Sequence, residues 1–183
     1  MRHRVSPGFL ALLLLAFTPG SARAQVDIAA GVLVVPGDGV EGSQVGPAVS
    51  LGAYPWSGAP VFLEASAARI DFVSLGQAYH NNHLLLALGI EWVPRTGSTM
   101  LGFRLGLGAH RESQVVESDP PRGGGTNWAE MVQPAVSVVH ELSQGRELVV
   151  SISDAVLGPF YAVLDPQEYG VTHRLRLMLG LRF

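Results

Sequence analysis

The chain has 183 residues, 48% apolar and only 15% charged, with a mean hydropathy of +0.28. It contains no Cys, which excludes disulfides, thiolate chemistry and Cys-based zinc sites. All 12 basic residues are Arg, and 15 acids outweigh them. The net charge of −3 excludes the basic footprint of a general nucleic-acid binder.

The first 24 residues read as an export address. Met1-Arg2-His3-Arg4 is a positive start, Phe9 to Phe17 is an unbroken apolar run, and Ala22-Arg23-Ala24 supplies small residues for cleavage. The apolar run is far short of the roughly 20 residues a membrane-spanning helix needs. Residues 1–24 are therefore expected to be a signal peptide and residues 25–183 a single mature domain.

From Gln25 onward the recurring pattern is period two, the signature of strands with two unlike faces. Eight strands are predicted, at 26–35, 45–54, 60–72, 83–93, 100–111, 128–142, 147–155 and 170–183. Three connections are short (55–59, 94–99 and 143–146). Four are longer (36–44, 73–82, 112–127 and 156–169) and gather Gly, Pro and acids, the composition of loops. No later stretch is apolar for 18 residues, so no transmembrane helix is expected. The fold class is all-β: an eight-stranded antiparallel up-and-down barrel.

The residues of the polar face decide which side of such a barrel meets water. That face is mostly Gly, Ala and Ser with a few charges, whereas a solvated face carries far more charge. The lumen of an eight-stranded barrel is just wide enough for side chains to fill, and small residues punctuated by Arg and Glu suit that space. The apolar face is then the outer, lipid-facing surface. Asp27, Glu64, Glu91, Arg104, Arg174, Arg176 and Arg182 all point inward by parity and are expected to form a lumenal ion-pair network. Closure of the barrel brings Asp27 on the first strand beside Arg182 on the last. A hairpin centred between Thr96 and Gly97 places Glu91 diagonal to Arg104.

Along the last strand, Leu175, Leu177, Leu179, Leu181 and Phe183 share one face. With the leader, the eight strands and the alternation of short and long connections, this resembles the small eight-stranded outer-membrane barrels of Gram-negative bacteria, the OmpA/OmpX-like superfamily. The resemblance covers the whole mature chain and is architectural. It implies residence in the outer membrane, with both termini and the short turns periplasmic and the long loops outside. It also implies that Leu175, Leu177, Leu179, Leu181 and Phe183 form the signal read by the barrel-assembly machinery. Trp56 and Trp92 would sit near the periplasmic interface and Trp128 near the outer one. The expected partners are outer-membrane lipid and lipopolysaccharide. The extracellular ligand, the conductance and the oligomeric state stay open.

Chemistry is sparse along the chain. His80, His83, His110 and His173 fall near the outer rim. The predicted hairpin sets His83 directly opposite His110, with Glu112 nearby as a third donor for a divalent metal. The plainer reading is a set of hydrogen-bonding residues at the barrel mouth. No catalytic residue, cofactor or metal ligand is assigned. Some barrels of the resembling family modify lipid A, and the deacylase kind carries a His-x-Ser pair on its seventh strand. Here that strand reads Ser151-Ile152-Ser153-Asp154, without the His. The functional expectation is a non-enzymatic barrel with a structural or surface-recognition role carried by its loops. The alternatives are a lipid A-modifying enzyme using rim His with Ser153 or Asp154, and a soluble periplasmic lipocalin-like binding barrel with the faces inverted.

Overall fold

The computed structural model describes residues 25–37, 42–56, 59–74, 76–117, 122–143, 145–159 and 171–183. The leader expected at 1–24 and most of the connection at 156–169 lie outside the described residues. Eight strands form one closed antiparallel barrel in chain order: β1 (Gln25–Val35), β2 (Gln44–Tyr54), β3 (Val61–Ser74), β4 (Gln77–Trp92), β5 (Thr99–Val116), β6 (Arg122–Ser143), β7 (Arg146–Leu157) and β8 (Thr172–Arg182). β1 and β8 close the ring through pairs such as Asp27–Arg182 and Gly31–Met178. The Val26 and Phe183 backbones exchange hydrogen bonds of 3.2 and 3.0 Å just beyond that ladder. Closure leaves no strand edge open for pairing with another chain.

Alternation governs every strand. On β8, Arg176, Met178, Gly180 and Arg182 are inside, while Leu175, Leu177, Leu179 and Leu181 are outside. Ile28, Leu51, Ile90, Leu107, Ile152 and Leu179 are each more than half exposed on the outer surface. In water, every such side chain would forgo about half of the roughly 1.5–3 kcal/mol that full burial yields. Apolar residues also contribute to the interior, in three small clusters. One joins Tyr54, Phe62, Leu85 and Met131, a second Leu33, Ile70 and Met178, and a third Met100, Val139 and Val149. These fill the space between the lumenal charges.

Two expectations about the connections need correction. The segment 73–82, read as a long loop, is a tight hairpin. β3 runs to Ser74, β4 starts at Gln77, and Gly76 takes a left-handed φ of 79°. Its polar residues alternate like any strand: Phe72 and Tyr79 stack with ring centroids 5.2 Å apart, and the Asn81 amide bonds Glu112. The segment 112–127 is likewise mostly strand, with β5 continuing to Val116 and β6 beginning at Arg122. β3 to β6 therefore project beyond the other strands, on the side away from the three short turns.

The register of β4 on β5 also differs from the expectation by two residues. Glu91 lies directly opposite Arg104, and His83 opposes Glu112 rather than His110. Pro94 has no N–H to give the ladder, so pairing stops at Trp92–Phe103 and the turn extends to Ser98. A shift of two preserves parity, so every side chain keeps its face.

Candidate functional site in the barrel lumen

The lumen holds two polar layers. The first lies toward the short-turn end and is centred on Arg182, which is 1% exposed. Its Nε donates to Asp27 Oδ1 at 2.7 Å, and its Nη2 donates to Glu91 at 3.0 Å and to the Tyr54 hydroxyl at 2.6 Å. Its Nη1 reaches Glu147 at 3.3 Å. Arg104 donates from Nε to Glu91 Oε1 and from Nη2 to Asp27 Oδ2, both at 2.7 Å, and also to the Tyr54 hydroxyl. It approaches Glu64 at 3.5 Å. Arg176 extends the layer, donating to Glu64 and Ser66 at 2.6 Å and to Ser153 at 3.1 Å. Arg95, in the β4–β5 turn, reaches in to Glu147 at 2.6 Å.

This layer is balanced. Arg95, Arg104, Arg176 and Arg182 face Asp27, Glu64, Glu91 and Glu147. Arg keeps its charge when buried and can fork onto several carboxylates at once. The Tyr54 ring lies beneath the Arg182 guanidinium, 4.4 Å from its centroid, and adds a cation–π contact. A cavity of about 30 Å³ remains among Ser50, Glu64, Gln133, Ser151 and Arg176, room for one or two waters.

Six of the seven residues expected in the network meet here. Arg174 does not. It stands two residues before Arg176 on β8, about 6.6 Å further along the strand, and pairs with Glu112 at 3.0 Å in the second layer. Tyr54, Glu147 and Arg95 are members that the sequence reading did not name. Tyr54 and Glu147 share inward parity with their strands, the signal that would have found them.

The second layer lies at the mouth, toward the long-strand end. The Asn81 amide donates to Glu112 Oε1 at 3.1 Å, and Arg174 Nη2 donates to Glu112 Oε2 at 3.0 Å. His83 and His110 are each 2% exposed and meet through ring nitrogens 3.1 Å apart. A pocket of about 210 Å³ opens beside His110, Glu112, Asn127, Thr172 and Arg174. In this layer His83 Nε2, Asn81 Oδ1 and Arg174 Nε are buried without a hydrogen-bond partner among the described residues, as Gln133 Oε1 and Ser137 Oγ are toward the short turns.

The other rim His residues face outward. His80 joins Asp71 at 2.7 Å and Glu117 at 2.5 Å, and His173 joins Asp154 at 2.7 Å. Ser153 points into the lumen and is held by Arg176, so the barrel wall separates it from the Asp154–His173 pair. The four rim His therefore form no single cluster. Aromatic residues mark both ends of the outer surface. Trp92 stacks on Phe103 near the short turns, and the Arg111 guanidinium lies 5.9 Å from the Trp128 ring at the opposite end.

No protein-family model matches the chain, and no curated protein matches its sequence. Solved structures do match its fold. Neisserial surface protein A (NspA) aligns with a TM-score of 0.52 and 12% identity, over 87% of this chain and 95% of that one. Ail, the attachment invasion locus protein of Yersinia pestis, solved with the heparin analogue sucrose octasulfate, aligns at 0.52 and 13%, over 88% and 99%. The N-terminal β-barrel domain of Pseudomonas aeruginosa OprF aligns at 0.51 and 13%, over 88% and 98%. The chain thus has the eight-stranded barrel fold of OmpA-like outer-membrane proteins.

Proposed function

We propose that residues 25–183 are a bacterial outer-membrane barrel with a structural or surface-recognition role and no catalytic centre of its own. The observation that carries this reading is the inverted partition of the wall. Aliphatic side chains cover the outside, while Arg and carboxylates fill the inside. On β8 the apolar outward positions run from Leu175 to Phe183. Nine residues match the roughly 9–11 that a tilted strand needs to cross the hydrocarbon. The outward ion pairs of Asp71, His80, Glu117, Asp154 and His173 begin where that band stops.

In this reading residues 1–24 direct export and are removed. Leu175, Leu177, Leu179, Leu181 and Phe183 present the assembly signal to the barrel-assembly machinery. The short turns face the periplasm. The long-strand end, with its Arg69, Arg111 and acidic side chains, meets lipopolysaccharide headgroups and any external ligand. The paired charges plug the lumen and oppose free passage of solutes. An apolar outside is the reverse of a lipocalin, and the wall between Ser153 and the Asp154–His173 pair denies the deacylase arrangement that base.

The test is cell fractionation with cold and heated gel migration. Recovery in the outer-membrane fraction, with a folded form that migrates differently until boiled, is the expected result. Recovery as soluble periplasmic protein would overturn the proposal.

A further inference from the structure

Hydrogen bonding alone leaves the histidine pair at the mouth incomplete. His83 on β4 and His110 on β5 stack with ring centroids 5.3 Å apart and an interplanar angle of 22°. His83 Nδ1 lies 3.1 Å from His110 Nε2 and 3.8 Å from Glu112 Oε2. One donor atom from each of the three residues falls within 4.8 Å of the others. The single proton of a His–His hydrogen bond satisfies those two nitrogens only. The other nitrogen of His83, Nε2, is also buried without a partner, but it is not one of the three donor atoms, and the site rests on the spacing of His83 Nδ1, His110 Nε2 and the Glu112 carboxylate.

We propose that His83, His110 and Glu112 form a binding site for a divalent transition metal of the zinc class. Two nitrogens each about 2.05 Å from a tetrahedral ion stand roughly 3.3 Å apart, close to the 3.1 Å separation found here. Imidazole and carboxylate donors suit Zn²⁺ and its neighbours Ni²⁺ and Cu²⁺, whereas Ca²⁺ and Mg²⁺ take oxygen ligands. Asn81 supports the carboxylate from behind by donating to its other oxygen.

The three protein donors leave a fourth position, as in zinc sites that exchange ligands. The pocket of about 210 Å³ adjoins His110 and Glu112 and can admit that ligand from the mouth. Arg174 shapes its chemistry. It lines the same pocket, and its Nε has no partner among the described residues. With one carboxylate against a divalent ion and a guanidinium, the site carries excess positive charge. The fourth ligand is therefore a water that ionises or a small anion. Arg174 also competes with the metal for Glu112. This site stands on its own geometry and does not depend on which membrane holds the barrel.

The test uses the full protein purified from membranes and treated with chelator, titrated with Co²⁺ and then Zn²⁺. One Co²⁺ per chain, with the visible absorption of a four-coordinate site and displacement by Zn²⁺, is the expected result. H83Q and H110Q should each weaken binding by more than about 100-fold, beyond the range for losing a supporting contact. H80Q and H173Q, on the outer surface, should leave it unchanged. Arg174→Gln should tighten it. Folding of each variant is checked by heat-modifiable migration, and E112Q replaces any His variant that does not fold. Absence of stoichiometric binding by the wild-type chain overturns the proposal whatever the variants do. So does binding that survives H83Q or disappears in H173Q, which would mark adventitious surface histidines.

Discussion

The two polar layers of the lumen use the same residue types to different ends. Toward the short turns, four Arg face four acids, and every charge is paired, half-exposed Arg95 from the β4–β5 turn. At the mouth, one Arg and one Glu share their space with two His, orphaned polar atoms and an open pocket. A charge-balanced network fixes the barrel, and its unpartnered atoms, Gln133 Oε1 and Ser137 Oγ, belong to neutral side chains, the first lining a cavity of only about 30 Å³. An incomplete one keeps unspent coordination and hydrogen-bonding capacity. The contrast teaches that charge in a narrow lumen is not one feature: the first layer is filling, and the second is the place to look for binding.

The sharpest way to break this contrast is Arg182→Ala. It leaves four buried acids facing three Arg, with Asp27 and Glu91 sharing Arg104 and Glu147 keeping only Arg95, and losing one partner of a buried pair costs about 3–5 kcal/mol. Urea unfolding in lipid vesicles measures it. Arg174→Ala removes a pair beside the open pocket and should cost well under half as much. Equal losses would mean that the layers do not differ.

Leu179→Arg addresses the wall around them. Near the middle of the apolar band it should cost about 2–4 kcal/mol in lipid, and Val73→Arg, at the end of β3, about 0–1. Similar costs at both positions would contradict a membrane around that band.

Tyr54→Phe keeps the ring over Arg182 but removes the hydroxyl that Arg104 and Arg182 donate to. It should lower stability by about 1–3 kcal/mol in the same unfolding measurement. Replacing Arg104 and Glu91 together by Met should cost less than either single change, since an apolar pair strands no charge. The smallest effect belongs to His173→Ala. Its half-exposed pair with Asp154 is worth less than about 1 kcal/mol, and the unfolding midpoint should barely move.

Parity was the most legible part of the sequence. Alternation at Leu175 to Phe183 or at Leu101 to His110 assigns each residue a face without any structure. It placed Asp27, Glu91, Arg104, Arg176 and Arg182 inside. Connections were harder. Gln77 to Asn82 read as a loop because polar composition usually means solvent, yet a strand that rises past the apolar band is polar on both faces. Register was legible only to within two residues, because alternation repeats every two.

The sequence by itself determined the strand count, the face of each side chain and the leader expectation at 1–24, because these depend on local periodicity and composition. Only the tertiary structure decided which inward residues meet. Tyr54 reaches Arg182 across 128 residues, Arg95 reaches Glu147 across 52, and Arg174 leaves the network it was expected to join. Those pairings depend on the height of each side chain along a closed wall. Height is set by the cumulative register of all eight strands, a quantity that no single stretch of sequence contains.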